Sequence, residues 1–278
     1  MGELNYTGYI EVELNDESLA ELIEKGTSSL LGNISENESV IAKDKNGKEV
    51  YFKFKNGKYS LVKYPTIGSE LTGSIKPRNP QQYCAFDMLQ DKDIPVKLIT
   101  GKFGSGKTIA CIIAALEAVQ NGDFEKIVFV RNNIQVAQTD ALGALPGDAL
   151  DKTLPYVMPF ADHCGGVEGV MQLIEKGKLE VIPLAFLRGR SIRNSILYSM
   201  ESENLTKEHI QLILGRVDEG SQLWCDGDIK QRDRSAFEKS QGLEKMVSAL
   251  KGNKLFGYIH LVKSERSEVS ALADLLDE

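Results

Sequence analysis

Eight residues constrain this chain more than any others: Gly101-Lys102-Phe103-Gly104-Ser105-Gly106-Lys107-Thr108. The residues before them, Val96 to Thr100, read as a buried strand, and those after them, Ile109 to Leu116, as a buried helix. Strand, glycine-rich turn, Lys-Thr and helix in that order make a phosphate-binding loop, the P-loop. Its glycines let the backbone turn so that several N–H groups converge on one anion. The helix that follows adds the positive end of its dipole and its unpaired N–H groups. The spacing assigns Lys107 to the β- and γ-phosphates and the Thr108 hydroxyl to Mg²⁺. A nucleoside triphosphate with Mg²⁺ is therefore the expected ligand, and a strand–loop–helix layer fold the expected framework.

Composition limits what can surround that loop. The chain has 278 residues, enough for one α/β domain of about 200 residues and a smaller module. No apolar run reaches the ~18 residues a membrane helix needs. Residues 1–5 show neither a basic nor an apolar leader region. Cys84, Cys111, Cys164 and Cys225 are scattered without CxxC spacing, which indicates neither zinc nor disulfides; Cys111 and Cys225 lie in apolar segments and read as core thiols, and a reducing, cytoplasmic compartment fits. The three histidines form no constellation. A net charge of −7 argues against a broad, non-specific nucleic-acid binder but leaves room for a local basic site.

Such a site is visible in the N-terminal part. Residues 1 to about 75 read as a separate β-rich module with one short helix. The expected elements are a strand over Tyr6–Leu14, a helix capped by Asn15 or Asp16, and a three-strand meander over Val40–Lys43, Glu49–Lys55 and Tyr59–Tyr64. Asn46-Gly47 and Asn56-Gly57 supply its turns, both expected as type I′. Between Ile41 and Tyr64 seven lysines face two acidic residues, a local charge of +5. Tyr51, Lys53 and Lys55 share one face of the central strand. That face is either a sheet surface for single-stranded nucleic acid or a solvated face whose lysines discourage edge pairing. Pro65, Pro77 and Pro80 with Gly68 and Gly73 read as a linker.

From Pro80 onward strands and helices alternate. A helix over Gln81–Gln90 precedes the P-loop, and further strands are expected at Lys126–Arg131, Leu179–Pro183, Ile196–Met200, Gln222–Cys225 and Tyr258–Val262. Helices are expected over Lys207–Val217, Leu243–Leu250 and Ser267–Leu276. Alternation of this kind implies a parallel sheet covered on both faces, with ligands at the carboxyl ends of its strands. Three stretches at such ends carry candidate chemistry. Glu201 to Asn204 could orient the attacking water or hold the metal shell, or could cap a helix. Asp226-Gly227-Asp228 through Gln231 suits a γ-phosphate sensor, or a tight turn. Lys263 to Glu268 offers Arg266 for charge in the transition state, or for a surface ion pair.

Taken together these stretches resemble one family. Lys76-Pro77-Arg78-Asn79 with Gln82, the P-loop, Gly143 with Leu145-Pro146-Gly147, Arg188-Gly189-Arg190-Ser191, Gly227-Asp228 with Gln231, and Glu265-Arg266-Ser267-Glu268 occur in order. From about residue 76 to the end, the chain is similar to the PhoH-like, phosphate-starvation-inducible P-loop ATPases, whose core is similar to that of superfamily-one helicases. The Asn5-to-Tyr9 segment resembles the one that precedes this core in members carrying a PIN nuclease domain, and the compact form resembles phage-encoded members. The resemblance implies that Gln82 contacts adenine and that Gly101, Phe103, Gly104, Ser105, Gly106, Lys107 and Thr108 hold the nucleotide phosphates. It implies further that Asp228 and Gln231 sense the γ-phosphate, and that Arg266 is an arginine finger or sensor. It offers Arg131, Arg188 and Arg190, beside Lys53 and Lys55, as RNA contacts.

One departure bears on the chemistry. Where the family places Asp-Glu-Ala-Gln-Asn after an apolar strand, this chain has Met200-Glu201-Ser202-Glu203-Asn204. The catalytic glutamate stays as Glu201, but a thioether replaces the carboxylate that supports Mg²⁺. A smaller departure is Asn132, where proline usually follows the arginine. The expected function is an ATPase working on RNA or single-stranded DNA, with Lys107, Glu201 and Arg266 catalytic and Thr108 on the metal. The rival is a nucleotide-binding regulator or scaffold with little hydrolysis. A homo-oligomer, up to a hexameric ring, and a separate nuclease are the partners the resemblance suggests; no membrane is expected.

Overall fold

The structure, a computed structural model, describes residues 6–28, 31–63, 66–131, 154–229 and 241–265. Its elements are β1 (Tyr9–Glu13), α1 (Asp16–Lys25), β2 (Ser39–Lys43), β3 (Glu49–Lys55), β4 (Lys58–Leu61), β5 (Ile67–Ser69), β6 (Gly73–Ile75), α2 (Pro80–Gln90), β7 (Val96–Gly101), α3 (Lys107–Gln120), β8 (Lys126–Arg131), α4 (Leu154–Ala161), α5 (Gly166–Glu175), β9 (Leu179–Pro183), β10 (Ser195–Ser199), α6 (Lys207–Leu214), β11 (Gln222–Gly227), α7 (Gly242–Leu250) and β12 (Phe256–Leu261). The expected helix over Ser267–Leu276, the Gly143–Gly147 motif and Asn132 lie outside the described residues, as do Gln231 and Arg266.

Six parallel strands in the order β12-β7-β11-β10-β8-β9 form the main sheet. Their near-continuous apolar runs follow from burial on both sides. Ile99, Phe129, Tyr198 and Trp224 pack under α2, α3, α4 and α5. Leu98, Val128, Leu197 and Cys225 point the other way, into a core closed by α6 and α7. All six carboxyl ends share one edge, which is where the P-loop leaves β7. Helix α2 starts as its sequence demands: Asn79 accepts from the Gln82 N–H at 2.9 Å, and Pro80 fills the first turn. Among the described residues, no helix is long and apolar enough to cross a membrane.

A four-stranded sheet, β1-β2-β3-β4, makes up the N-terminal module. The meander has the expected strands, but β1 adds to it parallel to β2, with α1 as the crossover. The two Asn-Gly pairs differ. Asn56 and Gly57 both have positive φ, as a type I′ turn requires. At the other loop only Gly47 does, because the Asp44 carboxylate organises it by accepting from the N–H groups of Asn46 and Lys48. One face of this sheet, with Val40, Ala42 and Phe52, closes a small core with Leu22 of α1. The other, with Tyr9, Ile41 and Tyr51, joins the core under α2.

Two readings change here. The proline-bearing stretch is an ordered hairpin, β5–β6, rather than a bare linker, and it is tied to α3 by Gly68 N–H to Glu117 and Glu70 N–H to Gln120. The N-terminal segment is also seated on the last strand. The His260 N–H donates to the Thr7 carbonyl at 2.8 Å, and Tyr6 lies against Tyr258 with ring centroids 5.7 Å apart. Gly8 makes that approach feasible: at φ +80°, a Cβ there would lie 1.6 Å from the Tyr258 carbonyl oxygen.

Candidate nucleotide-binding site

The loop between β7 and α3 has the shape its glycines allow. Gly106 caps α3 in the left-handed region at φ +86°, and a Cβ there would come within 2.9 Å of the Gln82 amide nitrogen. The Lys107 ammonium folds back over the loop to the Lys102 carbonyl at 3.4 Å, a bond at the long limit that an anion can replace at little cost. Phe103, 66% exposed, stands at the crest of the loop.

Two segments far apart in sequence hold the loop. The Gln82 amide donates to the Ser105 carbonyl at 2.9 Å and accepts from the Arg78 N–H at 2.8 Å. That buried amide is thus engaged at both its oxygen and its nitrogen, so Gln82 braces the P-loop. From the other side, the Glu265 N–H donates to the Gly104 carbonyl at 3.0 Å, and the Glu265 carboxylate accepts from Asn79 at 2.8 Å.

Thr108, the second residue of α3, donates its hydroxyl hydrogen to Asp226 at 2.5 Å. Asp226 lies one residue before the end of β11 and is fully buried. Its second oxygen accepts from the Glu201 N–H at 3.0 Å. Burial pushes the Asp226 carboxyl up from its usual range, opposed by the Thr108 hydrogen bond and the Lys107 charge. Met200 is buried in the core under α3. The residues therefore offer a hydroxyl and a carboxylate, hard oxygen donors of the kind Mg²⁺ takes, although the carboxylate comes from β11 and not from the end of β10.

Glu201 is exposed and has φ +51°, a left-handed conformation that costs a glutamate roughly 1–2 kcal/mol. Glu203, two residues on, is mostly buried, and burial raises its carboxyl to about 7. It accepts from the Asp228 N–H at 3.1 Å. The loops after β7, β10 and β11 thus bring Lys107, Thr108, Glu201, Glu203, Asp226 and Asp228 to one edge. Asp226 and Glu203 lay inside candidate stretches of the sequence but were given no role of their own; the signal available was the missing carboxylate at Met200 beside an extra one before Gly227.

The basic meander reads differently in three dimensions. Lys53 pairs with Asp87 at 3.2 Å and Asp91 at 3.1 Å, while Lys55 pairs with Asp91 at 3.0 Å and Asp93 at 2.9 Å. Tyr51 stacks on Tyr83 with centroids 4.1 Å apart. The face expected to meet nucleic acid is instead the seam between the module and α2. Burial works to raise Asp91, but Lys55 and Lys53 together hold it below the usual carboxylate range. Arg190 is likewise taken up, pairing with Glu180 at 2.9 Å. Arg131 is half-buried at the end of β8, and Arg188 is exposed.

A family model described as PhoH-like protein matches residues 74–273. The chain is 29% identical over 284 aligned residues to Protein PhoH2 of Thermobispora bispora, covering 97% of the chain and 62% of that protein. It is 32% identical to Protein PhoH2 of Bacillus subtilis, covering 78% of the chain and 51% of that protein. Its identity to a PhoH-like protein of Bacillus subtilis is 34%, over 55% of the chain and 48% of that protein. The chain thus spans about half to three-fifths of the length of these relatives.

Proposed function

Because the chain belongs to the PhoH-like family of P-loop ATPases, we propose that it binds ATP with Mg²⁺ on the β7–α3 loop and hydrolyses it, with turnover coupled to RNA or single-stranded DNA. The observation that carries the ATP reading is the loop itself. A glycine-rich turn is braced from Gln82 and Glu265, with Lys107 over it and the Thr108 oxygen pinned at its base. In this reading the loop's N–H groups and the α3 dipole receive the phosphates, and Lys107 neutralises charge on the γ-phosphoryl group. Mg²⁺, when bound, would sit on Thr108 and offset charge shared by the β- and γ-oxygens.

Glu201 orients the attacking water, since it is the exposed carboxylate at the end of β10. Glu203, whose carboxyl burial raises to about 7, adds a nearby group able to take up a proton near neutral pH. Gln231 and Arg266 keep the sensing and charge-stabilising roles that the resemblance gives them. Nucleic acid as the coupled substrate rests on the likeness to the superfamily-one helicase core; the paired Lys53 and Lys55 take no part in it. The reading as a silent regulator drew on Met200 alone, and the carboxylate at Asp226 weighs against it.

The test is Mg²⁺-dependent phosphate release from ATP, with and without single-stranded RNA at low salt. Release abolished in Lys107→Ala is the expected result. No release from the wild-type chain, despite nucleotide binding, would overturn hydrolysis. Release indifferent to both RNA and single-stranded DNA would overturn the coupling.

A further inference from the structure

We propose that Asp226, near the end of β11, is the carboxylate that positions Thr108 for a divalent cation in this chain, taking over from the end of β10, where Met200 stands. The inference rests on reading the loop as an ATP site, and it assigns the metal support to a different strand from the one the sequence pattern indicates.

Register and parity carry the argument. Ser199 pairs with Cys225 across parallel β10 and β11, so Met200 and Asp226 follow side by side. Residues two apart share a face of a strand. Tyr198 and Trp224 lie in the core under α3, so Met200 and Asp226 come up on that same face, the one Thr108 overlooks. A carboxylate moved from position 200 to position 226 therefore shifts by one strand spacing, about 4.8 Å, and still faces α3. The structure shows it in contact, with Thr108 as donor at 2.5 Å.

The direction of that bond matters. A hydroxyl has one hydrogen and two acceptor lone pairs. With its hydrogen fixed on Asp226, the Thr108 oxygen has its lone pairs left for a cation. The second Asp226 oxygen is fixed by the Glu201 N–H, and Glu201 is in the left-handed region at φ +51° there. A strained backbone at the proposed catalytic glutamate thus converges on the same carboxylate. Asp226 is fully buried, and the buried Tyr198 hydroxyl beside it favours its charged form. Lys107 is the cation that acts on Asp226. Glu201 and Glu203 face the same corner with like charge. A buried carboxylate among acidic neighbours is costly unless positive charge is brought to it, and a cation arriving with the nucleotide supplies that charge. Met200 can supply neither charge nor acceptor of that kind.

The experiment is a Mn²⁺ titration of the full chain in saturating ADP, followed by electron paramagnetic resonance, with ADP affinity measured separately in EDTA. Asp226→Asn is expected to weaken Mn²⁺ binding to the ADP complex about 10- to 100-fold and to leave ADP affinity in EDTA unchanged. Combined with Thr108→Val its effect is not additive, because both remove one bond. Met200→Asp alone brings no gain, since a second carboxylate beside Asp226 raises the pKa of the pair. Met200→Asp with Asp226→Asn restores Mn²⁺ binding. Unchanged Mn²⁺ affinity in Asp226→Asn, or a folded double variant without restored binding, overturns the assignment. Should Asp226→Asn not fold alone, the double variant decides. If the wild-type chain binds ADP in EDTA but Mn²⁺ adds nothing, this assignment falls while the nucleotide site stands. If it binds no nucleotide, the ATP reading falls and this one with it.

Discussion

Lys97 shows how one residue can carry a penalty that its element hides. It lies on β7, four residues before the P-loop, and is 1% exposed. Its ammonium donates to Gln222 at 2.6 Å and sits 4.8 Å from the centroid of the Trp224 ring. Burial lowers it from the usual lysine range to about 7. The unfolded chain therefore binds this proton more tightly than the folded one between about pH 7 and the ordinary lysine value. Stability contributed by this position rises with pH across that window. Lys97→Met removes the penalty, and Gln222 keeps a donor in Trp224 at 2.8 Å. The variant should melt above wild type at pH 7, and the gap should close toward pH 10; a pH series of thermal melts checks it. Nothing in the pattern Val96-Lys97-Leu98-Ile99-Thr100 announces this, because a lysine at a strand entry ordinarily reaches solvent.

Among the elements, those set by local rules were legible in the sequence. Asn79-Pro80 fixes the start of α2, Asn56-Gly57 the turn between β3 and β4, and the P-loop the junction of β7 with α3. What long-range register decides was not legible. The parallel seat of β1, the meander face turned onto α2, and Asp226 beside Met200 all depend on which strands lie next to one another. Gln82 marks the boundary between the two: its place in the motif was legible, its bonds to Arg78 and Ser105 were not. Since its amide joins Arg78 to Ser105, Gln82→Ala should weaken ATP and GTP binding alike and lower stability by about 1–2 kcal/mol, the cost of leaving buried partners unpaired. Competition between the two nucleotides distinguishes this from an adenine contact, whose loss would act on ATP alone. The N-terminal segment is just as constrained. Gly8→Ala places a Cβ against the Tyr258 carbonyl and should destabilise the fold by about 2–3 kcal/mol in urea unfolding, near the upper end for a single substitution.

At the scale of the whole molecule, the module and the sheet with the P-loop are joined by charge as well as by packing. Asp87 and Asp91 are 3% and 9% exposed, and Lys53 serves both while Lys55 reaches Asp91. Lys53→Ala with Lys55→Ala would leave both buried carboxylates uncompensated, at a cost on the order of 3 kcal/mol. RNA affinity, measured by filter binding at low salt, should not change. A large loss of RNA binding in a variant of normal stability would return those lysines to a nucleic-acid surface. The same architecture sets an order of completion. β7 is flanked by β11 and β12, the last two strands among the described residues. A ribosome that has released the P-loop still has more than half of the sequence to make, and until residue 261 emerges β7 lacks one hydrogen-bonded neighbour. The first described residues wait for the same strand, because Thr7 is bonded to His260. Pairings so distant along the chain form slowly and leave sheet edges open meanwhile. The loop between β7 and α3, encoded about a third of the way along, thus gains the full set of strand neighbours beside it only late in synthesis.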